Sequence, residues 1–294
     1  MTRALCLILV LAIGCSSKKE IPAATPAPAP KALITQFQSV SLSGLTAQQQ
    51  SGFVKLLNDE ICPCSSCSES FAACLPKCKP AVLLAQWVID RLKEGVPMEM
   101  MAQALSQEIN SGFSANPQII DIGDYSSKGS PKASMTLVEF ADFECAHCKI
   151  TAKSIDEFLK KHPQDIKIVY KHFPLEGHQF AKNASLAAEA AGLQGKFWPM
   201  HKMLFESEKP LDETQIQALA KKVGLNLGQF KKDLSSTVVL NKVENSLAEG
   251  QLLGISGTPA LFFNGRPYYL STDMKGLELR LAMEKARTGS DCTH

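Results

Sequence analysis

Cys145 and Cys148 stand two residues apart with His147 between them, directly after the run Met135–Ala141 and an acidic break at Asp142. Cysteines at this spacing can form half of a thiolate metal site, a structural staple, or a dithiol that passes its disulfide to another protein. The third chemistry asks most of its surroundings. Exchange begins with a thiolate that attacks along the S–S axis and proceeds through a mixed disulfide. A helix beginning at about Cys145 would aim unpaired backbone N–H groups and the positive end of its dipole at that sulfur, stabilising the anion. His147 would add a donor or a positive charge. Any group that favours the reduced thiolate makes the disulfide a stronger oxidant, and ~30 mV of two-electron potential corresponds to ~1.4 kcal/mol.

The chain carries 10 cysteines in 294 residues, which is many for a reducing compartment. It opens MTRALCLILVLAIGCSSKK. One arginine precedes the apolar stretch from Ala4 to Ile13, which is too short to span a bilayer and suited to a secretory h-region. Leu11-Ala12-Ile13-Gly14-Cys15 resembles a bacterial lipobox, with Ala12 where leucine is usual. The resemblance implies a lipoprotein signal peptide over 1–14 and a lipidated Cys15; the plainer alternative is a cleaved signal with a bystander cysteine. Ser16 implies, again by resemblance, sorting to the outer rather than the inner membrane. Residues 15–37 then form a tether, because IPAATPAPAP (21–30) cannot build a core and favours extended polyproline II. With 31 basic and 29 acidic residues the net charge is +2. No basic stripe with interleaved aromatics points to nucleic acid as a partner.

Setting aside Cys6, Cys15 and the 145/148 pair leaves Cys62, Cys64, Cys67, Cys74, Cys78 and Cys292. In an oxidising compartment these are expected to pair as structural disulfides, with connectivity left open and Cys292 clipping the tail to the front of the chain. A redox relay through the 62/64/67 cysteines and a metal-thiolate site are the alternatives. Residues 38–115 read as a small helical module. Thr46 and Gln49 have capping-box spacing, and Phe53, Leu56 and Leu57 share one face. A second helix is expected over 80–94, with Leu84, Trp87, Val88 and Leu92 inward and Gly95 as its stop. A third is expected over 97–110, where Met98, Met101, Ala102, Leu105 and Ile109 repeat as core positions. The Cys62-Pro63-Cys64 turn and the Gly95–Met100 segment loosely resemble the helical domain of CcmH-type cytochrome c maturation proteins.

From 119 to 294 the order is different. Strands are expected at Met135–Ala141 and Ile166–Tyr170, with a helix from about Cys145 to Leu159 between them. A helical insert follows over about 178–253, then Gly254-Ile-Ser-Gly-Thr-Pro259. Strand Ala260–Phe263 leads into the Asn264-Gly265 hairpin, and a last helix covers about 273–287. FADFECAHCK, KIVYKHFPL, GKFWPMHKMLF and GISGTPALFFNG, in this order, resemble the DsbA-like branch of the thioredoxin fold, an α/β architecture with a helical insertion. The resemblance implies that Cys145 attacks, Cys148 resolves as a buried thiol and His147 tunes the potential. Glu139, inward by strand alternation, would be the buried carboxylate that relays the Cys148 proton. Pro259 would be the cis-proline facing the cysteines, with Thr258 offering its backbone to the substrate. Trp198, Phe197 and His201 read as insert core, and His172 and His178 receive no part. The function expected is a lipid-anchored envelope thiol:disulfide oxidoreductase, an oxidant in preference to a reductase or isomerase. Its partners would be exported protein thiols and a membrane redox partner for recycling, with no cofactor and no metal. The competing readings are a partner in cytochrome c maturation and a copper- or zinc-handling module.

Overall fold

Four helices lead the fold. The computed structural model describes residues 33–63, 69–113 and 115–288; Cys15, the tether up to residue 32, Cys64, Cys67 and Cys292 lie outside them. Helix α1 (Ala47–Asp59) begins at Thr46, whose hydroxyl accepts the Gln49 N–H while Gln49 returns an acceptor to the Thr46 N–H. This reciprocal cap satisfies two otherwise orphaned donors. The short α2 (Phe71–Cys74) follows, and its Cys74 is bonded to Cys62. Helix α3 (Lys79–Lys93) ends before Gly95, which turns at φ 88° where a side chain would be strained.

Helix α4 (Met98–Gln107) does not run on as the sequence spacing suggests. From Glu108 to Phe113 the backbone widens into a π-helix. The extra residue per turn rotates Glu108, Ile109 and Phe113 inward together, and all three are buried. Glu108 is driven into the interior by its partner there, the fully buried Arg280. A buried charge needs such a partner.

The sheet has the order β1 (Ser127–Gly129), β3 (Ile166–His172), β2 (Met135–Ala141), β4 (Ala260–Phe263), β5 (Arg266–Pro267). Strands β2 and β3 pair in parallel, linked by the crossover helix α5 (Ala146–Lys161); the other pairs are antiparallel. Asn264 and Gly265 both take positive φ, 49° and 77°, closing the two-residue β4–β5 hairpin. The insert consists of α6 (Ala181–Gly192), α7 (Phe197–Phe205), α8 (Glu213–Val223), α9 (Leu227–Asp233) and α10 (Thr237–Leu252), and α11 (Met274–Thr288) closes the described chain. Among the described residues no helix is long and apolar enough to cross a membrane.

Alternation along β2 divides the interior. Val138 and Phe140 pack with Val169, Phe173 and Phe262 on one face. Leu137 faces Ile155 and Phe158 of α5 and Leu277 and Leu281 of α11 on the other. That second core is continuous with Phe53, Leu57, Leu84, Val88 and Leu105 of the front helices. The helical stretch and the sheet therefore share one hydrophobic interior, and α11 packs against both α3 and α5.

Candidate active site

Strand β2 ends at Ala141, and a turn built by Asp142 delivers Cys145 to the start of α5. Asp142 is fully buried. Its Oδ1 accepts the Glu144 N–H at 2.7 Å, and its Oδ2 meets the Leu175 N–H at 2.8 Å and His178 Nδ1 at 2.7 Å. One carboxylate thus pins the approach to Cys145 against the loop after β3. His178, given no part from sequence, belongs to this frame. His172 is likewise structural, with Nε2 2.9 Å from Glu189 on α6.

Cys145 is the N-cap residue of α5, and Cys148 lies one turn along it. Both carry free thiols and both are buried, Cys145 at 7 % and Cys148 at 0 % exposure. The Cys145 sulfur makes no cap hydrogen bond with the helix amides. Its thiol instead donates to the Thr258 carbonyl at 3.3 Å. A neutral thiol has a proton to give and needs an acceptor; the amides suit the anion. Thr258–Pro259 is a cis peptide bond, so the loop before β4 and the first turn of α5 meet at the sulfur. His147 is exposed on that first turn.

Burial pushes the Cys148 thiol up, and the nearby Glu139 carboxylate pushes the same way. Glu139 sits mid-strand on β2, on the α5 face, between Tyr170 of β3 and Leu261 of β4. It is 2 % exposed and its Oε1 has no hydrogen-bond partner. Burial raises its pKa from 4.5 to about 8, opposed by Lys128 and assisted by Asp156. The consequence has a definite sign. An unfolded glutamate releases its proton near 4.5, whereas the folded chain holds it to about 8. Stability should therefore be highest below about pH 4.5 as far as this group is concerned and fall as pH rises to 8. Glu139→Gln should remove that slope and raise stability above pH 8 by on the order of 4 kcal/mol. Thermal melts across pH 5–9 measure it, and parallel curves for the two proteins would refute it.

Behind the cysteines, Phe143, Tyr170, Trp198 and Phe205 surround His201 at ring-centroid distances of 5.6, 4.9, 5.1 and 4.9 Å. Burial lowers the His201 pKa well below its usual value, so the ring is neutral packing. One groove opens on Cys145, and a second begins at Pro259, the residue after the Thr258 carbonyl that meets the Cys145 sulfur. The first, about 390 Å³, is lined by Cys145 itself with Phe205, Pro210 and Leu211 of the insert. The second, about 370 Å³, runs between Pro259 and the Tyr268–Tyr269 segment.

Among the described residues, the one group with metal-ligand spacing is Cys62, Cys74 and Cys78, whose sulfurs lie within 4.8 Å of one another. Cys62 and Cys74 are bonded together with Cα atoms 5.7 Å apart, and Cys78 is disulfide-bonded as well. In this state sulfur–sulfur bonds occupy the valences an ion would need. All three are at most 2 % exposed.

The DSBA-like thioredoxin domain family matches over residues 136–282, half of the chain. Among curated proteins, the Na(+)/H(+) antiporter NhaA 1 of Mycolicibacterium gilvum is 37% identical over 142 residues, 47% of this chain and 23% of its own length. NhaA 1 of Salinispora arenicola is 30% identical over 206 residues, 70% of this chain and 31% of its own. The chain thus spans about a quarter to a third of the length of these curated relatives. Among solved structures, a thioredoxin-like oxidoreductase from Silicibacter pomeroyi DSS-3 is 27% identical, covering 56% of this chain and 92% of that one with a TM-score of 0.51. BdbD from Bacillus subtilis, in its oxidised form, covers 60% and 99% with a TM-score of 0.52; at 23% identity this likeness shows the fold alone.

Proposed function

Because the chain belongs to the DSBA-like thioredoxin domain family, we propose that it is a bacterial envelope thiol:disulfide oxidoreductase that oxidises exported proteins through Cys145 and Cys148. The observation that carries this reading is the seat of Cys145. It caps a 16-residue helix, faces the carbonyl of a cis Thr258–Pro259 bond, and has a buried thiol one turn behind it.

In the oxidising direction a client thiolate attacks Cys145 of the Cys145–Cys148 disulfide. The client–Cys145 bond forms, the old bond breaks, and Cys148 leaves as a thiolate. Burial makes that anion costly, and Glu139, still protonated at neutral pH, is the adjacent proton donor. A second client thiolate then attacks the client sulfur of the mixed disulfide, releasing oxidised client and a Cys145 thiolate. Two electrons stay on the pair until a membrane redox partner removes them. The Cys145 anion would turn from the Thr258 carbonyl, which repels it, toward the α5 amides and His147. This stabilisation favours the reduced form and hence an oxidising disulfide.

The front cysteines act in this reading as staples, since the described sulfurs are too buried to meet a client. Cys15 would carry the lipid that holds the chain at the membrane, with the outer membrane preferred. The antiporter activity in the relatives' names is that of those proteins, of which this chain matches less than a third. Equilibration of the 145/148 pair with glutathione tests the direction. We expect a reduction potential nearer ~−120 mV than ~−270 mV. A value at or below the latter would overturn the oxidant assignment and support a reductase.

A further inference from the structure

The segment that walls the groove opposite Pro259 is held from outside the thioredoxin-like part of the chain. Gly265 O accepts the Gln118 N–H at 2.7 Å. Arg266 Nε donates to Ala115 O at 2.9 Å. Oε2 of the fully buried Glu108, at the start of the π-helical turn, accepts the Tyr269 N–H at 2.9 Å. Arg91 Nη2 of α3 donates to Asp273 Oδ2 at 2.7 Å and to Ser271 Oγ at 3.3 Å. Gly112 completes the seam by close approach, since a Cβ there would lie 3.0 Å from Pro267 O and 2.8 Å from Glu108 Oε2. On its other side the same segment touches the catalytic helix, where Thr151 Oγ1 meets Thr272 Oγ1 at 3.0 Å, three residues past Cys148.

These contacts lie in one continuous line along residues 265–273, the residues that run from the β4–β5 hairpin to α11. Tyr268 and Tyr269 line the groove of about 370 Å³ whose other side includes Ser256, Gly257 and Pro259. Tyr269 is 41 % exposed while its backbone is clamped from behind by Glu108. A wall that presents an aromatic ring to solvent and takes its hydrogen bonds from a separate helical stretch is placed by that stretch.

We propose that the front helical module is a positioning element of the substrate groove: Glu108 and Arg91 set the Tyr268–Asp273 wall so that an extended polypeptide lies between it and Pro259 with its cysteine at Cys145. The inference rests on the oxidoreductase reading above and adds a specificity device to it. The partner class is an unfolded chain with an apolar side chain beside its cysteine, because the wall offers the exposed Tyr269 ring and its carboxylate, Asp273, is already paired with Arg91. A small thiol, which touches only the sulfur, does not use the wall. None of these front residues touches the substrate; they act through residues 267–273.

The test uses the full chain, oxidised at Cys145–Cys148, with two reduced substrates: a ten-residue peptide carrying one cysteine next to leucine, and dithiothreitol. In single turnovers of the oxidised protein, Arg91→Ala should raise KM for the peptide, its half-saturating concentration, by roughly three- to tenfold with the limiting rate within about twofold, as a displaced binding wall would. The dithiothreitol rate and the reduction potential should stay within about twofold and a few millivolts of the parent. Arg91→Lys should restore most of the peptide KM, because a single nitrogen, Nη2, makes both contacts. Circular dichroism establishes that both variants are folded. An unchanged peptide KM in folded Arg91→Ala, or a fall of both substrates in step, would overturn the inference while leaving the oxidoreductase reading intact. If the parent chain oxidises neither thiol, that reading fails and this inference falls with it.

Discussion

Cys148→Ser should turn the protein from a catalyst into a trap. Cys145 would still reach a client disulfide, since its seat at the head of α5 and its contact with Thr258 do not depend on the second sulfur. Without the Cys148 thiol beside it, the mixed disulfide could be released only by a thiol arriving from the client or from solution. Turnover should fall by at least ~1,000-fold, the scale on which losing one member of a concerted pair is felt. Covalent client adducts should accumulate on non-reducing gels and vanish on reduction. Cys145→Ser should lose turnover to the same degree and trap nothing. Adducts that form in Cys145→Ser and not in Cys148→Ser would reverse the assignment of attacking and resolving sulfur.

The second large effect lies far from the sulfurs. Arg280 and Glu108 are fully buried, and Arg280 Nε also donates to Glu284 Oε1 at 2.9 Å. Arg280→Met would fit a similar volume but leave Glu108 without its cation, while Glu284 keeps Arg287 at 3.4 Å. Burial already raises the Glu108 pKa, against the pull of Arg280. Breaking one side of a buried pair costs about 3–5 kcal/mol, which for a chain of this size lowers Tm by roughly 6–20 °C. Adding Glu108→Gln to Arg280→Met should recover part of the loss, since an amide does not carry a stranded charge. A double variant no more stable than Arg280→Met, or a single variant melting within 2 °C of the parent, would show that the pair contributes little.

Which features could be read from sequence follows from how local their causes are. Strand β2, helix α3 and the Asn264-Gly265 turn are written in residue spacing and in backbone conformations that few residues tolerate. The same holds for the capping box at Thr46. The Cys145–Cys148 chemistry was legible because the two sulfurs and the helix that carries them are contiguous. Strand β1 left no signature: three residues, Ser-Lys-Gly, with none buried, are strand only because β3 pairs with them. The π-turn at Glu108 was invisible because its cause, Arg280, is 172 residues away. Asp142 looked like a strand breaker; its three partners come from the following turn and the loop after β3. The direction of the Cys145 thiol depends on a carbonyl 113 residues downstream, which no local pattern encodes.

The shared interior of the front helices and the sheet bears on how such a chain can be inherited. A recombination event that moved residues 119 onward into another gene would carry Arg280 and Arg287 along. It would leave behind Glu108, which Arg280 pairs with, and the Phe113 carbonyl that accepts from Arg287. It would also uncover Leu277 and Leu281 beside α5. The recipient would have to supply a new cover for α11, or substitute its cations, to bury the same faces of the thioredoxin-like half. A change in the front helices that removes Glu108 is therefore felt at α11, through Arg280.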